Sequence, residues 1–378
     1  GVVLAAPDTI AALQRIGAAN RAASAATVVG VTGSSGKTST KDLLAALIGA
    51  ERRTIAAEEG HNNEIGLPFT LTRITADTEV AICEMAMRGP GQIADLAVLA
   101  HPEIGVITNV GEAHLELLGS REAIAAAKAE LLEHVEVAVV PAGEPLLEPH
   151  LRDRPLLVTF GEEVGADVRI AGRSVRPDGM TVALDVDGRT IAVDTNLTGR
   201  HNAFNLAAAM AVCRALGLDL DACAGAAGQI RLQRWRSEDH PLADGGVVVN
   251  DAYNANPSSM EAALAGLAER DGKGRLVAVL GEMAELGPAA AELHRRVGEA
   301  AAAMGYGVLV AVGEPARAYL DGAGAAVEQH WVADRSELVA FLAQIVRPGD
   351  RVLVKASRSV GLEAVAADVA RLANGGPA

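Results

Sequence analysis

What most limits the fold of this 378-residue chain is a short apolar run that keeps returning. TVVGVTG, EVAICEM, IGVITNV, VEVAVVP and PLLVTFG form one series, and GGVVVND, RLVAVLGEM, GVLVAVG and DRVLVKAS form a second. Strands that are apolar on both faces need helices on both sides of their sheet, and helical patterns separate most of these runs. The expected fold class is therefore α/β, built on doubly wound parallel sheets. Two series in a chain too long for one ordinary core imply two domains, with the boundary near Gly228. The expected division is 26–228 for a central domain and 229–378 for a smaller, Rossmann-like α/β domain. Residues 1–25 hold one helix, capped by Asp8. Between Val168 and Val193 the texture changes to alternating residues punctuated by turns, which reads as antiparallel strands.

The stretch VVGVTGSSGKTSTKDLLAAL, Val28 to Leu47, joins a β-branched run to a helix through a turn containing Gly33 and Gly36. Free backbone N–H groups at a helix start, the positive end of its dipole and Lys37 converge there, which suits the phosphates of a nucleotide. The local form is TGxxGKTS rather than GxxxxGK[ST], because position 31 is Val. Gly33, Ser34, Ser35, Gly36, Lys37, Thr38 and Ser39 are the expected phosphate-binding residues.

Half of the residues are hydrophobic and only 2% aromatic, so the cores should be aliphatic. With 48 acidic against 33 basic residues the formal net charge is −15, and no Lys/Arg cluster interrupts it. That argues against nucleic acid and anionic membrane as partners. Cys83, Cys213 and Cys223 stand in apolar stretches without a CxxC spacing and read as reduced core residues of a soluble, cytoplasmic protein. No apolar run is long enough to span a bilayer, and no signal peptide is recognisable.

Further polar residues lie where strands end, the place at which open parallel sheets bind ligands. Glu84 directly follows EVAIC. There its carboxylate either faces phosphates through Mg²⁺, with the Thr38 hydroxyl on the same ion, or is a solvated loop acid. His114 stands just beyond the run Gly105 to Val110, and Lys128 lies inside a small-residue helix. Taken alone, such a His is more often structural and such a Lys solvated.

Together these residues carry a resemblance. TGSSGKTSTK, NNEIGLP, EMAMRGPGQI, NVGEAHLELLGS with IAAAKAELL, GRHNAFNLAAA, NDAYNANPSSM, GEMAELG and VKASRS occur in the order seen in the Mur ligases of peptidoglycan synthesis. The chain resembles them from about Thr27 to Glu363. NDAYNANP and NNEIGLP are most similar to the branch that joins D-alanyl-D-alanine to UDP-N-acetylmuramoyl-tripeptide. His61, Ala86, Ala356 and Glu282 depart from the residues usual there.

The resemblance implies a P-loop-type central ATPase domain and a ligase reaction through an acyl phosphate. Lys37 and the backbone of Gly33 to Thr38 would hold the β- and γ-phosphates of ATP. Thr38 and Glu84 would bind one Mg²⁺. His114 and a carbamylated Lys128 would serve a second. Adenine would meet Asn202 and Asn205, which lie on one helix face, although Asn202 also suits a helix cap. Asp251 resembles the acid that reaches the nucleotide from the C-terminal domain, with Arg236 or Arg234 near the γ-phosphate. Asn62, Asn63, Tyr253, Asn254, Asn256, Lys355, Ser357 and Arg358 are the expected substrate-binding residues. A monomer is expected, and the small N-terminal domain that grips the UDP end would be reduced here to the helix DTIAALQRIG. A Mur-type ligase with a UDP-free acceptor, or one extending polyglutamate on folate, is the alternative.

Overall fold

The computed structural model describes residues 5–152, 156–176, 178–230 and 232–374. Pro155 of PLLVTFG and Arg231 of RLQRWRSE lie outside them. The chain divides into two compact units. One holds the residues up to Gly111, then Leu117–Leu197 and Asn202 to residue 230; the other holds Glu112–Glu116, Thr198–His201 and Leu232 onward.

The first unit is a nine-stranded sheet. Its strands are β1 Thr27–Thr32, β2 Thr54–Ala56, β3 Val80–Glu84, β4 Ile104–Ile107, β5 Val137–Pro141, β6 Leu156–Gly161, β7 Val168–Arg176, β8 Gly179–Val186 and β9 Arg189–Thr195. They lie in the order β2-β3-β1-β4-β5-β6-β7-β8-β9. Neighbours from β2 to β7 pair in parallel, whereas β7 with β8 and β8 with β9 are antiparallel. The parallel strands β3 and β4 are buried at every residue, while β9 alternates exposed and buried positions. That difference is the one between a sheet covered on both faces and one wetted on one side. The antiparallel expectation for Val168 to Val193 is thus met.

The helix Thr9–Ala22 is capped by Asp8, whose Oδ1 accepts from the Ala11 N–H at 2.9 Å. It belongs to the first unit and is anchored by a buried arginine. Arg21 Nε donates to the Ala100 carbonyl and Nη2 to that of His101, each at 2.9 Å, and Nη2 also pairs with Glu103. The same Glu103 accepts from the Val28 N–H of β1 at 2.6 Å, so the ion pair also fixes the strand that feeds the glycine turn.

The second unit is a six-stranded sheet of β10 Glu238–Pro241, β11 Val247–Asn250, β12 Leu276–Gly281, β13 Val308–Val312, β14 Glu328–Val332 and β15 Arg351–Lys355, ordered β10-β11-β15-β12-β13-β14. All neighbours are parallel except β10 with β11. Successive residues of a strand feed opposite cores: Ala278 and Leu280 join Met260, Leu264 and Tyr319 on one face, and Val277 and Val279 join Leu338, Leu342 and Val369 on the other. Three strands escape the sequence reading, β2, β10 and β14. They are edge strands without a buried apolar run, as EDHP and EQHWV show. Among the described residues no helix is long and apolar enough to cross a membrane.

Candidate active site

In the first unit β1 ends at Thr32, and the helix Lys37–Gly49 begins five residues later. Gly33 adopts φ +153° and Gly36 φ +76°. A Cβ on Gly33 would stand 1.8 Å from Thr108 Oγ1, so both conformation and space demand glycine. The turn is braced from the end of β4. Thr108 Oγ1 donates to the Ser35 carbonyl at 2.5 Å, the Asn109 side chain accepts from the Ser35 N–H at 3.0 Å, and Ser34 Oγ accepts from the Gly111 N–H at 2.8 Å. Lys37 Nζ donates to the Gly33 carbonyl at 2.7 Å, which folds the ammonium over the loop. Thr38 and Ser39 are buried in the first helical turn. Amides, a helix N-terminus and a lysine thus converge on one concave turn, the arrangement that binds phosphate.

Glu84 closes β3 and stands in register with Val31 of β1, which places its carboxylate on the strand beside the loop. It is buried and accepts from Asn62 Nδ2 at 2.9 Å. Asn63 serves the backbone instead, accepting from the N–H groups of Ile65 and Gly66 at 3.1 and 2.9 Å. Lys128 is the least ordinary group: only 1% of it is exposed, and among the described residues nothing pairs or hydrogen-bonds its Nζ. Burial, helped by the nearby Lys37 ammonium, pushes its pKa well below the usual lysine range. A shift in that direction favours the uncharged amine, which is a nucleophile rather than a counter-ion.

Asn202 and Asn205 lie together on the helix Arg200–Ala215, both buried, with Asn205 Nδ2 donating to Asn202 Oδ1 at 3.3 Å. Asn202 is the third residue of that helix, so the capping alternative does not hold. Asn205 Oδ1 faces the phosphate loop, accepting from Thr40 Oγ1 at 3.4 Å.

The second unit gathers the other expected residues after β11 and β15. Lys355 Nζ donates to Asp251 Oδ2 at 2.5 Å and to the Asn254 carbonyl at 3.0 Å, so the buried lysine and the acid form one neutralised pair. Asp251 Oδ1 accepts from the Ser237 N–H at 3.1 Å. Ser357 Oγ accepts from the Ala284 N–H at 2.9 Å, and Asn256 caps the helix Pro257–Ala268 in a reciprocal box with Ser259. Two guanidiniums lie over aromatic rings, Arg236 over Tyr253 and Arg358 over Trp235, each with its Cζ 4.1 Å from the centroid. Arg234 is exposed.

His114 falls in the segment Glu112–Glu116, which packs with the second unit. Its Nδ1 lies 2.5 Å from Glu285 Oε2. Glu112 is held by Ser258 Oγ at 2.8 Å and by Arg296 at 3.3 Å, two contacts that lower its pKa against the effect of burial. The sequence reading misses Thr108, Asn109, Glu112 and Glu285. Each lies in a stretch already noticed as a whole, Thr108 in IGVITNV, Asn109 and Glu112 in NVGEAHLELLGS and Glu285 in GEMAELG, but none was singled out as a site residue. Among the described residues no three His, Cys, Asp or Glu side chains cluster as a ready metal site.

Residues 31–213 match the Mur ligase middle domain, and residues 231–358 match the Mur ligase glutamate ligase domain. The UDP-N-acetylmuramoyl-tripeptide–D-alanyl-D-alanine ligase of Synechocystis sp. is 40% identical over 373 residues, covering 95% of this chain and 78% of that protein. A crystal structure of MurF from Acinetobacter baumannii is similar with a TM-score of 0.89 at 29% identity, covering 97% of this chain and 82% of that one. MurF ligase from Thermotoga maritima, solved in complex with ADP, gives 0.85 at 27% identity over 98% of this chain and 84% of that one. The two family models together match most of the chain and a relative 40% identical is covered over 78% of its length, so this chain belongs to the Mur ligase family.

Proposed function

We propose that the chain is an ATP-dependent peptide ligase that adds D-alanyl-D-alanine to UDP-N-acetylmuramoyl-tripeptide, a cytoplasmic step of peptidoglycan precursor synthesis that releases ADP and phosphate. The observation that carries the reading is a phosphate-binding turn beside a buried, uncompensated Lys128 in a chain 40% identical to a ligase of that name. NDAYNANP and NNEIGLP favour this acceptor over folate polyglutamate.

The γ-phosphoryl group of ATP passes to the terminal carboxylate of the tripeptide, and an acyl phosphate forms. The amine of D-alanyl-D-alanine attacks the acyl carbon; a C–N bond forms, the C–O bond to phosphate breaks, and the amine loses its proton. The enzyme's task is then positioning and charge neutralisation rather than covalent chemistry on a side chain. Lys37 and the amides of Gly33 to Thr38 neutralise the phosphates. Asn62 holds the Glu84 carboxylate in one orientation.

The donor chemistry fits Mg²⁺, a hard cation that takes oxygen ligands. The Thr38 hydroxyl and the Glu84 carboxylate would hold one ion, which when bound offsets phosphate charge. Neutral Lys128 would attack CO₂ at carbon, forming an N–C bond and losing one proton, and the resulting carbamate is an oxygen ligand where an ammonium would repel a cation. In the second unit the Asp251–Lys355 pair fixes the turn bearing Tyr253, Asn254 and Asn256, with Ser357 and Arg358 as further substrate-binding groups, while Asp251 and Arg236, which lies over Tyr253, would serve the nucleotide.

The test is phosphate release from ATP with UDP-muramoyl-tripeptide, with and without D-alanyl-D-alanine. Release that depends on both, with the pentapeptide product identified by mass, is the expected result. Release that is indifferent to D-alanyl-D-alanine would overturn the assignment.

A further inference from the structure

Two residues in uncommon backbone conformations face one another in the second unit. His114 has φ +64° and Glu285 φ +61°, the left-handed region that side chains larger than glycine seldom occupy. Such conformations persist only where the surroundings over-determine them. Here both the side chain and the backbone of Glu285 are engaged with the same short segment: Oε2 lies 2.5 Å from His114 Nδ1, and the Glu285 carbonyl accepts from the Glu116 N–H at 3.2 Å. A third grip is Glu112 on Ser258 and Arg296.

The loop that presents Glu285 is itself held from beneath. The buried His294 accepts from the Met283 N–H at Nε2, 2.9 Å away, and its Nδ1 donates to the Ala290 carbonyl at 2.6 Å. The Ala284 N–H is taken by Ser357 Oγ at 2.9 Å. Tyr319 packs on the His294 ring and donates its hydroxyl to the Gly281 carbonyl at 2.9 Å. The position of the Glu285 carboxylate is therefore fixed by a chain of satisfied hydrogen bonds.

We infer that Glu285 is a positioning residue for His114, fixing the imidazole as the Nδ1–H tautomer, so that any acceptor or ligating role of the ring falls to Nε2. An ionised carboxylate only accepts hydrogen bonds, so the proton between the two groups belongs to Nδ1. This is the outer contact that sets the tautomer of ligating histidines, where loss of the carboxylate costs about 10- to 100-fold in affinity or activity. The role given to Nε2 rests on the proposed ligase reading, but the tautomer does not.

The test is ¹⁵N-histidine labelling of the full chain, with long-range ¹H–¹⁵N spectra recorded above the titration range of imidazole. In the wild type, His114 is expected as Nδ1–H. Glu285→Gln, whose amide oxygen still accepts, should keep that tautomer, whereas Glu285→Ala should move the ring to Nε2–H, the form favoured by free imidazole. Turnover should fall 10- to 100-fold in Glu285→Ala, with ATP-analogue affinity changed by less than about threefold. A wild-type His114 protonated at Nε2, or a tautomer unmoved in Glu285→Ala, overturns the inference. The predicted tautomer shift in a wild-type protein without ligase activity supports it and counts instead against the ligase reading.

Discussion

Gly36 lies directly against Asn205: a Cβ at position 36 would stand 2.4 Å from Asn205 Oδ1. The phosphate loop and the helix Arg200–Ala215 approach each other this closely because residue 36 has no side chain and takes φ +76°. Asn205 is thereby a brace of the loop, whatever it also contributes to adenine. Asn205→Ala should weaken binding of inorganic tripolyphosphate and of an ATP analogue alike, by about fivefold, the worth of one hydrogen bond. Calorimetry with both ligands decides: a loss confined to the ATP analogue means that the asparagine acts on the base alone.

Lys37 is half-buried and its ammonium lies on the loop's own Gly33 carbonyl rather than in a hydrophobic core, so its removal should leave the fold standing. Lys37→Ala is expected to reduce phosphate release by roughly 10²- to 10³-fold, the usual cost of one transition-state donor. The melting temperature should move by no more than a few degrees. Unchanged phosphate release would show that the lysine does not meet the transferred phosphoryl group.

Lys128 is tested by chemical rescue. Lys128→Ala is expected to be inactive, and acetate should restore part of the rate by supplying the carboxylate that the proposed carbamate would provide. Removal of CO₂ and bicarbonate should slow the wild type in parallel. Full activity of Lys128→Ala without additive would make the residue an ordinary buried amine.

His294 gives the fold a pH dependence of known sign. Burial holds its pKa below the ordinary 6.5, against a smaller opposing effect of the Ala290 carbonyl. The native state then binds fewer protons than the unfolded chain between the lowered value and 6.5. This contribution to stability is complete above about pH 6.5 and is lost as pH falls through the native pKa, at up to about 1.4 kcal/mol per pH unit. Urea unfolding at pH 7.5 and 5.5 should show wild type losing more than His294→Gln. Equal slopes for the two proteins would remove His294 as the cause.

The sequence by itself determined the two parallel sheets, because strands buried on both faces leave continuous apolar runs such as TVVGVT and LVAVLG that no other packing explains. It determined the phosphate turn for the same reason: backbone geometry at Gly33 and Gly36 is a local demand, written at those positions. The edge strands β2, β10 and β14 were not legible, since they carry no buried apolar run. What only the tertiary structure decided are the partnerships between distant positions. Asn205 meets Thr40 across 165 residues and His114 meets Glu285 across 171. Periodicity reports which face of an element is buried, whereas the identity of the group facing a polar side chain depends on how separate elements pack. Lys128 shows the division in a single residue. Its place on a helix was readable, but its burial without a counter-ion, which lowers its pKa, exists only in the folded chain.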